Sequence, residues 1–193
     1  MDSKNQTAAM GILLTISAAH FLNDLLQSVI PASLPVLKEA NALTFAEVGL
    51  ITLTVQITSS LLQPFVGAVS DRHPMPAALP CGMLLSGLGL ILLAHAATLP
   101  AILISVALIG CGSAVFHPES SRTAQDVSGG RRGFAQAVFQ VGGNAGSAMG
   151  PIAAALVVIP YGQSSIGWFS LSAALQPAVL AAPLPPELEK AMT

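Results

Sequence analysis

The chain has 193 residues, of which 53% are hydrophobic and only 8% are charged, and it contains 17 glycines. Its mean hydropathy is +0.72, which lies well above the range of soluble domains. These values exclude a soluble globular protein and predict an integral membrane protein. The net charge of -2 and the scattered basic residues exclude a surface that tracks the phosphates of a nucleic acid.

The spacing of the apolar stretches predicts how many times the chain crosses the membrane. A hydrocarbon core of about 30 Å needs about 20 apolar residues in each helix. Charged residues and breaks rich in Pro and Gly divide the chain into six such stretches. The sequence therefore predicts an all-α, polytopic membrane protein with a single six-helix transmembrane bundle. The predicted spans are approximately 8–37, 45–70, 77–97, 101–125, 133–159 and 164–182.

The distribution of lysine and arginine predicts the orientation of the spans. With six spans, most basic residues fall on the side of the two termini or at a helix end on that side, and one falls on the other side. The first group is Lys4, Arg72, Arg122, Arg131, Arg132 and Lys190, and the single residue is Lys38. A multi-pass protein of the inner (plasma) membrane with both termini in the cytoplasm is therefore expected. No cleavable signal is evident, so the first stretch is expected to remain as a helix.

The first predicted span carries a polar stripe. His20, Asn23, Asp24 and Gln27 are spaced i, i+3, i+4 and i+7, which places them on one side of a helix. In lipid this side must face protein or a water-filled cavity. Ionisable groups at bilayer depth usually mark an ion or substrate route, so Asp24 is the first candidate for a proton carrier. The alternative is that these side chains only hydrogen-bond neighbouring helices.

The second predicted span has a milder polar stripe that includes Gln56, and it ends in Gly67, Asp71 and Arg72. A glycine four residues before an acid, followed by a base, suits a helix end that docks against its neighbour and holds a breakable ion pair. An ordinary helix stop is the alternative, because His73 and two prolines would end any helix.

The fourth predicted span runs from an apolar stretch directly into His117, Pro118, Glu119 and Arg122. His117 can relay protons or hydrogen-bond a substrate, or it can simply pack against other helices. Glu119 is the second candidate for a proton carrier. Arg122, however, lies three residues further on, at the right distance to form an intrahelical pair that keeps Glu119 ionised.

The fifth predicted span has two different faces. Its polar side is formed by Gln136, Gln140, Asn144 and Ser147. Gly142, Gly146 and Gly150 repeat every four residues on nearly the opposite side, where another helix can approach closely. This span is therefore expected to pack tightly on one flank, to face a cavity with the other, and to bend at Pro151. Packing alone also accounts for such a glycine face.

These motifs resemble the amino-terminal half of a transporter of the major facilitator superfamily. The segments DRHPMPAALP, GSAVFHPESSRTA and SGGRRGFAQAVFQVGGNAGSAMGP are similar to the fosmidomycin resistance branch of that superfamily. The resemblance runs from His20 to Ser170 and implies export of a drug in exchange for protons, across membrane lipid and without a cofactor or metal ion. It also implies that Arg122 is the partner of an anionic drug such as a phosphonate.

The residues to which this interpretation assigns a role fall into three groups. The expected proton and substrate pathway comprises His20, Asn23, Asp24, Gln27, Gln56, His117, Glu119, Arg122, Gln140 and Asn144. The expected conformational-switch loop comprises Gly67, Asp71 and Arg72. The expected packing and kink positions are Pro118, Gly142, Gly146, Gly150 and Pro151.

Three features depart from the pattern of the superfamily. His73, Pro74, Met75 and Pro76 replace a glycine and several basic residues, and Ala154 and Ala155 stand where antiporters often have two glycines. The third departure is size, because such transporters have two six-helix halves with the substrate site between them. The crowded Pro177, Pro183, Pro185 and Pro186 and the polar tail after them predict a truncated or frameshifted half in preference to a purpose-built one.

Three other interpretations remain open. In the first, the chain is a half-size transporter that works only as a dimer or with a separate carboxy-terminal half. In the second, it is a non-transporting protein that assembles through its glycine faces. The third is an intramembrane enzyme that uses His117 and Glu119. It is disfavoured because the sequence offers no second histidine at helical spacing for a metal site, so no enzyme activity is expected.

Overall fold

The computed structural model of the protein describes residues 3–72 and 77–180. Within these two ranges the chain is almost entirely helical and contains no strand. The predictions that concern His73, Pro74, Met75 and Pro76, and those that concern the tail from residue 181 onwards, fall outside the described residues.

The helices form long rods joined by short turns. The first rod is α1 (Ser3–Ala40), and the second consists of α2 (Phe45–Gln56), a π-helical turn (Ile57–Leu61) and α3 (Gln63–Arg72). The third and fourth rods are α4 (Ala78–His95) and α5 (Leu99–Asp126). The fifth rod consists of α6 (Arg132–Ala153), a second π-helical turn (Ala154–Val158) and α7 (Ile159–Tyr161). A 3-10 helix (Gln163–Phe169) and α8 (Ser170–Leu180) follow.

The all-α, membrane-spanning prediction is confirmed. In the described part of the chain, five rods are long and apolar enough to cross a membrane: Ala9–Ala40, Phe45–Arg72, Ala78–His95, Leu99–Asp126 and Arg132–Tyr161. They correspond to the first five predicted spans. The sixth, 164–182, is occupied by the 3-10 helix and α8 and extends past the last described residue. Position 177 lies inside α8, so proline does not interrupt the helix there.

Local sequence signals set where the helices begin. Thr44 precedes α2, and its hydroxyl accepts a hydrogen bond of 3.2 Å from the Glu47 backbone nitrogen. The Glu47 carboxylate in turn accepts one of 2.7 Å from the Thr44 backbone nitrogen. This reciprocal capping box satisfies backbone groups that would otherwise lack a partner at a helix start. Thr98 caps α5 in a similar way, through the Ala101 backbone nitrogen.

Helices α1 and α6 pack against each other over much of their length and run in the same direction. The predicted glycine face of α6 forms this contact. A Cβ atom added at Gly142 or Gly146 would collide with the backbone carbonyl of Ser17 or Phe21, and one added at Gly150 would collide with the Ser28 hydroxyl. The helix axes can approach this closely only because these positions lack a side chain.

The region after Pro151 differs from a regular helix. Pro151 lies inside α6, and a π-helical turn begins three residues later at Ala154. A proline removes one backbone donor from the helix ladder, and a π-helical turn is one of the ways in which the ladder accommodates such a break. The helix is therefore locally widened from Ala154 to Val158, whereas the bend expected at Pro151 stays a prediction.

Large apolar side chains cover the outer surface of the second rod. Leu53, Ile57, Leu61 and Phe65 are all exposed, as expected for helices that face lipid rather than water. The main apolar core lies instead between α1, α4 and α5, where residues such as Ile30, Leu90 and Ile109 are buried. The polar residues described next lie between the inner side of the second rod and the helices α1 and α5.

Candidate functional site

A cavity of about 330 Å³ lies between α1, the second rod and α5, with α6 at its edge. Four residues of the predicted pathway line it: Asp24, Gln27, Gln56 and His117. Five serines line it as well, among them Ser113 and Ser147. Among the described residues that line this cavity there is neither a lysine nor an arginine. Its only formal charge therefore belongs to Asp24 and, when protonated, to His117.

Asp24 lies at the centre of a compact polar cluster. Its carboxylate oxygens are 3.3 Å from His20 Nε2 and 3.1 Å from His117 Nε2. Asn23 Nδ2 donates to Asp24 Oδ1 over 3.1 Å, and the Ser147 hydroxyl lies 3.4 Å from Oδ2. The side chains of His20, Asp24 and His117 are 2%, 15% and 26% exposed, so the cluster is largely buried and is reached from the side of His117. We refer to His20, Asp24 and His117 as the His-Asp-His cluster.

The partner of Nδ1 in each imidazole indicates which of the two ring nitrogens carries the hydrogen. His20 Nδ1 is 2.9 Å from the Phe139 carbonyl oxygen, and His117 Nδ1 is 3.0 Å from the Ser113 carbonyl oxygen. Because a carbonyl oxygen can only accept, both contacts are satisfied when Nδ1 carries the ring hydrogen and donates. A neutral imidazole then has a lone pair at Nε2, directed at a carboxylate oxygen that also has only lone pairs. Each of these two contacts is favourable only when a cation lies between the atoms.

The surroundings of His20 fix the orientation of its ring. The imidazole stacks on Phe139 with 4.0 Å between ring centroids and 17° between planes. On the α6 side it lies against Gly143, where an added Cβ atom would collide with the ring. Sequence analysis missed both residues, although Gly143 follows the predicted Gly142 directly and forms a recognisable pair of glycines. Phe139 offers no signal in the sequence that separates it from other apolar residues.

Other predicted pathway residues do not reach the cavity. Gln140 and Asn144 are exposed on α6, where Gln140 Nε2 donates to Asn144 Oδ1 over 3.3 Å. Gln136 binds Ser121 of α5 instead, so Ser147 is the one member of the polar side of α6 that lines the cavity. Asn23 is buried behind Asp24, where it also donates to the Ser113 hydroxyl over 3.3 Å.

Arg122 and Glu119 lie outside the cavity that contains Asp24. Arg122 donates to the Ser70 carbonyl oxygen over 3.1 Å and to the Ser70 hydroxyl over 2.9 Å, and it also binds the Asp71 carboxylate. The predicted pair with Glu119 is present only as an ion pair of 3.7 Å. Glu119 Oε1 is buried and has no hydrogen-bond partner among the described residues. The guanidinium therefore joins α5 to the end of α3, and the expected contact between Arg122 and a drug would have to occur away from the cavity around Asp24.

The remaining residues of the predicted switch loop lie around the same helix ends. Gly67, Asp71, Pro118 and Arg122 line a second pocket of about 300 Å³. A Cβ atom added at Gly67 would be 3.7 Å from the Pro118 side chain. That is an ordinary contact, so the packing of α3 against Pro118 does not require glycine. Arg72, the last residue of α3, is exposed.

The fold and this site together define a class of protein. Long apolar helices surround a polar cavity, and the cavity contains an ionisable cluster that would be costly in the membrane without a transport role. Binding sites of this kind, near the middle of the membrane and between helices, are typical of secondary transporters. The structure is therefore that of a membrane transport bundle.

Comparison with known families agrees with this class. The family model described as Major Facilitator Superfamily matches residues 16–191. The chain therefore belongs to the major facilitator superfamily of transporters, as the sequence motifs predicted. This family consists of transport proteins rather than enzymes.

Two curated relatives show a similarity that covers most of the chain. The chain is 53% identical over 173 residues to the protein called "Fosmidomycin resistance protein" of Escherichia coli (strain K12). The matched region covers 90% of this chain and 43% of that relative. The chain is also 48% identical over 172 residues to "Uncharacterized MFS-type transporter YfnC" of Bacillus subtilis (strain 168). Here the matched region covers 89% of this chain and 42% of that relative. The chain thus spans less than half of the length of these relatives.

Proposed function

We propose that this chain forms one six-helix half of a transporter that exports small drug-like molecules in exchange for protons. Membership of the major facilitator superfamily supports transport of a small molecule across a membrane. The similarity to a protein named for fosmidomycin resistance supports a compound of that kind as the cargo. The position of Asp24, which lies both in the cavity and between two histidines, is the observation that carries the proposal.

The geometry of the His-Asp-His cluster supports protons as the exchanged ion. With both Nδ1 atoms donating to carbonyl oxygens, a proton between an Nε2 atom and the Asp24 carboxylate converts an unfavourable contact into a charge-assisted hydrogen bond. A group that is reached from one side of the membrane and then from the other can load and release such a proton. His20 and His117 thereby serve as partners that hold the proton at Asp24.

The other cavity residues support a role in cargo binding. Gln27, Gln56 and the cavity serines offer neutral donors and acceptors, which suits the oxygen-rich groups of small polar drugs. An anionic cargo such as a phosphonate also needs a cation, and among the described lining residues only His117 can supply one. The rest of the positive charge would come from the second half of the transporter.

The location and the partners follow from the same proposal. The positive-inside distribution supports the inner membrane with both termini in the cytoplasm. The helix ends joined by Asp71 and Arg122 would then lie on the cytoplasmic side. Gln56, Asn144 and Ser147 are exposed, and polar groups at membrane depth need a protein surface to cover them. A second copy of the chain or a separate carboxy-terminal half would supply this surface.

Transport in inverted membrane vesicles tests the proposal. The vesicles contain this chain together with a carboxy-terminal half, and an imposed pH gradient drives uptake of the drug while a dye records proton movement. Uptake of fosmidomycin with counterflow of protons is expected, and Asp24→Asn should abolish it while leaving the amount of inserted protein unchanged. Glu39→Gln, an exposed carboxylate on the same helix, is the matched control and should leave uptake unchanged. Drug uptake that is indifferent to both the gradient and Asp24→Asn would overturn the proton exchange.

A further inference from the structure

The His-Asp-His cluster has the ligand spacing of a metal site. His20 Nε2 and His117 Nε2 lie 3.3 and 3.1 Å from the Asp24 carboxylate oxygens, and the three ligand atoms all lie within 4.8 Å of one another. Zinc bonds to histidine nitrogen and carboxylate oxygen are about 2.0–2.2 Å long. In a tetrahedron with such bonds, neighbouring ligand atoms are about 3.3–3.5 Å apart. The two distances run to different oxygens of the carboxylate, Oδ2 for His20 and Oδ1 for His117, and each is close to this spacing.

The hydrogen bonds behind the two histidines are those of metal ligands. A histidine that binds a metal through one nitrogen almost always donates its other N–H to a carbonyl or carboxylate oxygen, which fixes the tautomer and the ring orientation. Here both Nδ1 atoms lie at hydrogen-bond distance from backbone carbonyl oxygens, 2.9 Å for His20 and 3.0 Å for His117, which favours the tautomer with the hydrogen on Nδ1. Both Nε2 lone pairs are thereby directed at Asp24 before any ion arrives. The Phe139 stack and the Gly143 contact hold the His20 ring in that orientation.

The cluster also has a fixed carboxylate and a route of entry. Asn23 Nδ2 donates to Asp24 Oδ1, so the acid is oriented by a neighbour as the histidines are. Asp24 and His117 line the 330 Å³ cavity, whereas His20 is buried behind them. An ion that enters through the cavity meets three protein ligands and retains a position for water, as in zinc sites that are not purely structural.

We propose that His20, Asp24 and His117 form a binding site for a divalent transition metal ion, with Zn²⁺ as the best-fitting ion. Two imidazoles and one carboxylate are a ligand set that suits zinc and its neighbours and suits calcium or magnesium poorly. The ion occupies the space between lone pairs that a proton would otherwise occupy. Bound Zn²⁺ should inhibit proton exchange, and this consequence rests on the proposed function. The binding of Zn²⁺ does not depend on the proposed function.

Equilibrium binding to the purified chain in lipid nanodiscs tests the site without any transport assay. A Cys81→Ser, Cys111→Ser background and a tag without histidine remove competing ligands. Zn²⁺ affinity is measured by competition with a chromophoric chelator, and Co²⁺ is added as a spectroscopic probe of coordination number. One Zn²⁺ per chain and a visible Co²⁺ spectrum of four-coordinate type are expected.

Variants distinguish this site from adventitious binding. His20→Gln, Asp24→Asn and His117→Gln should each weaken Zn²⁺ binding by more than about 100-fold, and Asn23→Ala by about 10-fold. His95→Gln, which changes a histidine at the end of α4, should have no effect. His117→Cys is the decisive variant, because it replaces the imidazole with a thiolate, which is also a good zinc ligand. It should retain the ion and add a sulfur-to-cobalt charge-transfer band.

Two results would overturn the proposal. One is the absence of stoichiometric Zn²⁺ binding by protein whose helical circular dichroism shows that it is folded. The other is binding that persists in Asp24→Asn and His117→Gln, which would place the ion elsewhere. Because neither result involves a pH gradient or a drug, failure of this proposal and failure of the transport proposal can be told apart.

Discussion

Arg122 and Asp71 form an ion pair that joins the end of α5 to the end of α3, although the two residues are 51 positions apart in the chain. The guanidinium also holds the backbone carbonyl and the hydroxyl of Ser70, which satisfies a carbonyl group near the end of α3. The two side chains are unequally shielded, since that of Asp71 is 71% exposed and that of Arg122 is 30% exposed. Any movement that separates α3 from α5 must break this set of contacts.

Arg122→Gln should therefore destabilise the protein more than Asp71→Asn. The exposed carboxylate of Asp71 is screened, so its loss should cost no more than about 1 kcal/mol. Arg122→Gln also removes the bonds to Ser70, and hydrogen bonds made by charged groups contribute about 1.5–3 kcal/mol. Thermal unfolding of both variants in nanodiscs, followed by circular dichroism, measures the difference. An equal or larger loss for Asp71→Asn would show that Ser70 is not an important partner.

Glu119→Gln should partly restore the stability of the Arg122→Gln variant. Glu119 Oε1 is buried without a hydrogen-bond partner and has Arg122 Nη1 at 3.7 Å as its nearest compensating charge. Removal of the arginine leaves that carboxylate uncompensated, which is more costly than removal of both charges. A double-mutant cycle on unfolding temperature measures the coupling between the two positions. Strictly additive effects would mean that the two side chains act separately.

Gly146→Ala should disrupt the contact between α1 and α6. Its added Cβ atom would meet the Phe21 backbone carbonyl, which cannot move without displacement of the whole helix, and overpacking of this kind costs about 1–3 kcal/mol. Gly11→Ala is the matched control, because nothing lies within 4 Å of the atom it would add. It should be neutral or stabilise α1 by up to about 1 kcal/mol. Both variants are compared by unfolding temperature and by yield of inserted protein, and similar values for the two would contradict the packing role of Gly146.

The 193-residue chain expressed by itself should not transport as a monomer. Alternating access requires two bundles that move about a central site, and the exposed polar groups of Gln56, Asn144 and Ser147 need a covering surface. We expect the purified chain to dimerise or aggregate, and we expect no drug resistance in cells that express it alone at low level. Mass photometry in nanodiscs and growth in the presence of fosmidomycin measure the two outcomes. A stable monomer that exchanges drug for protons would overturn the half-transporter proposal.

Sequence alone was sufficient for the fold class and for the first five spans. Hydrophobic stretches of membrane length and the breaks between them are local properties, and in lipid a helix is the only way for a single segment to satisfy its backbone. The stripe of His20, Asn23, Asp24 and Gln27 could be read in the same way, because i, i+3, i+4 and i+7 positions share a helix face in any sequence. The contact of α6 with another helix through glycines could also be anticipated, although its partner could not.

Tertiary structure alone decided which polar groups meet. Asp24 and His117 are 93 positions apart, and no local spacing indicates that α1 and α5 bring them to 3.1 Å. The same is true of Arg122, which keeps an ion pair with Glu119 three residues away in its own helix but makes its hydrogen bonds to Asp71 and Ser70 of α3. Periodicity specifies which face of a helix a side chain occupies. The packing of the helices, which depends on the fit of every residue between them, decides what that face meets.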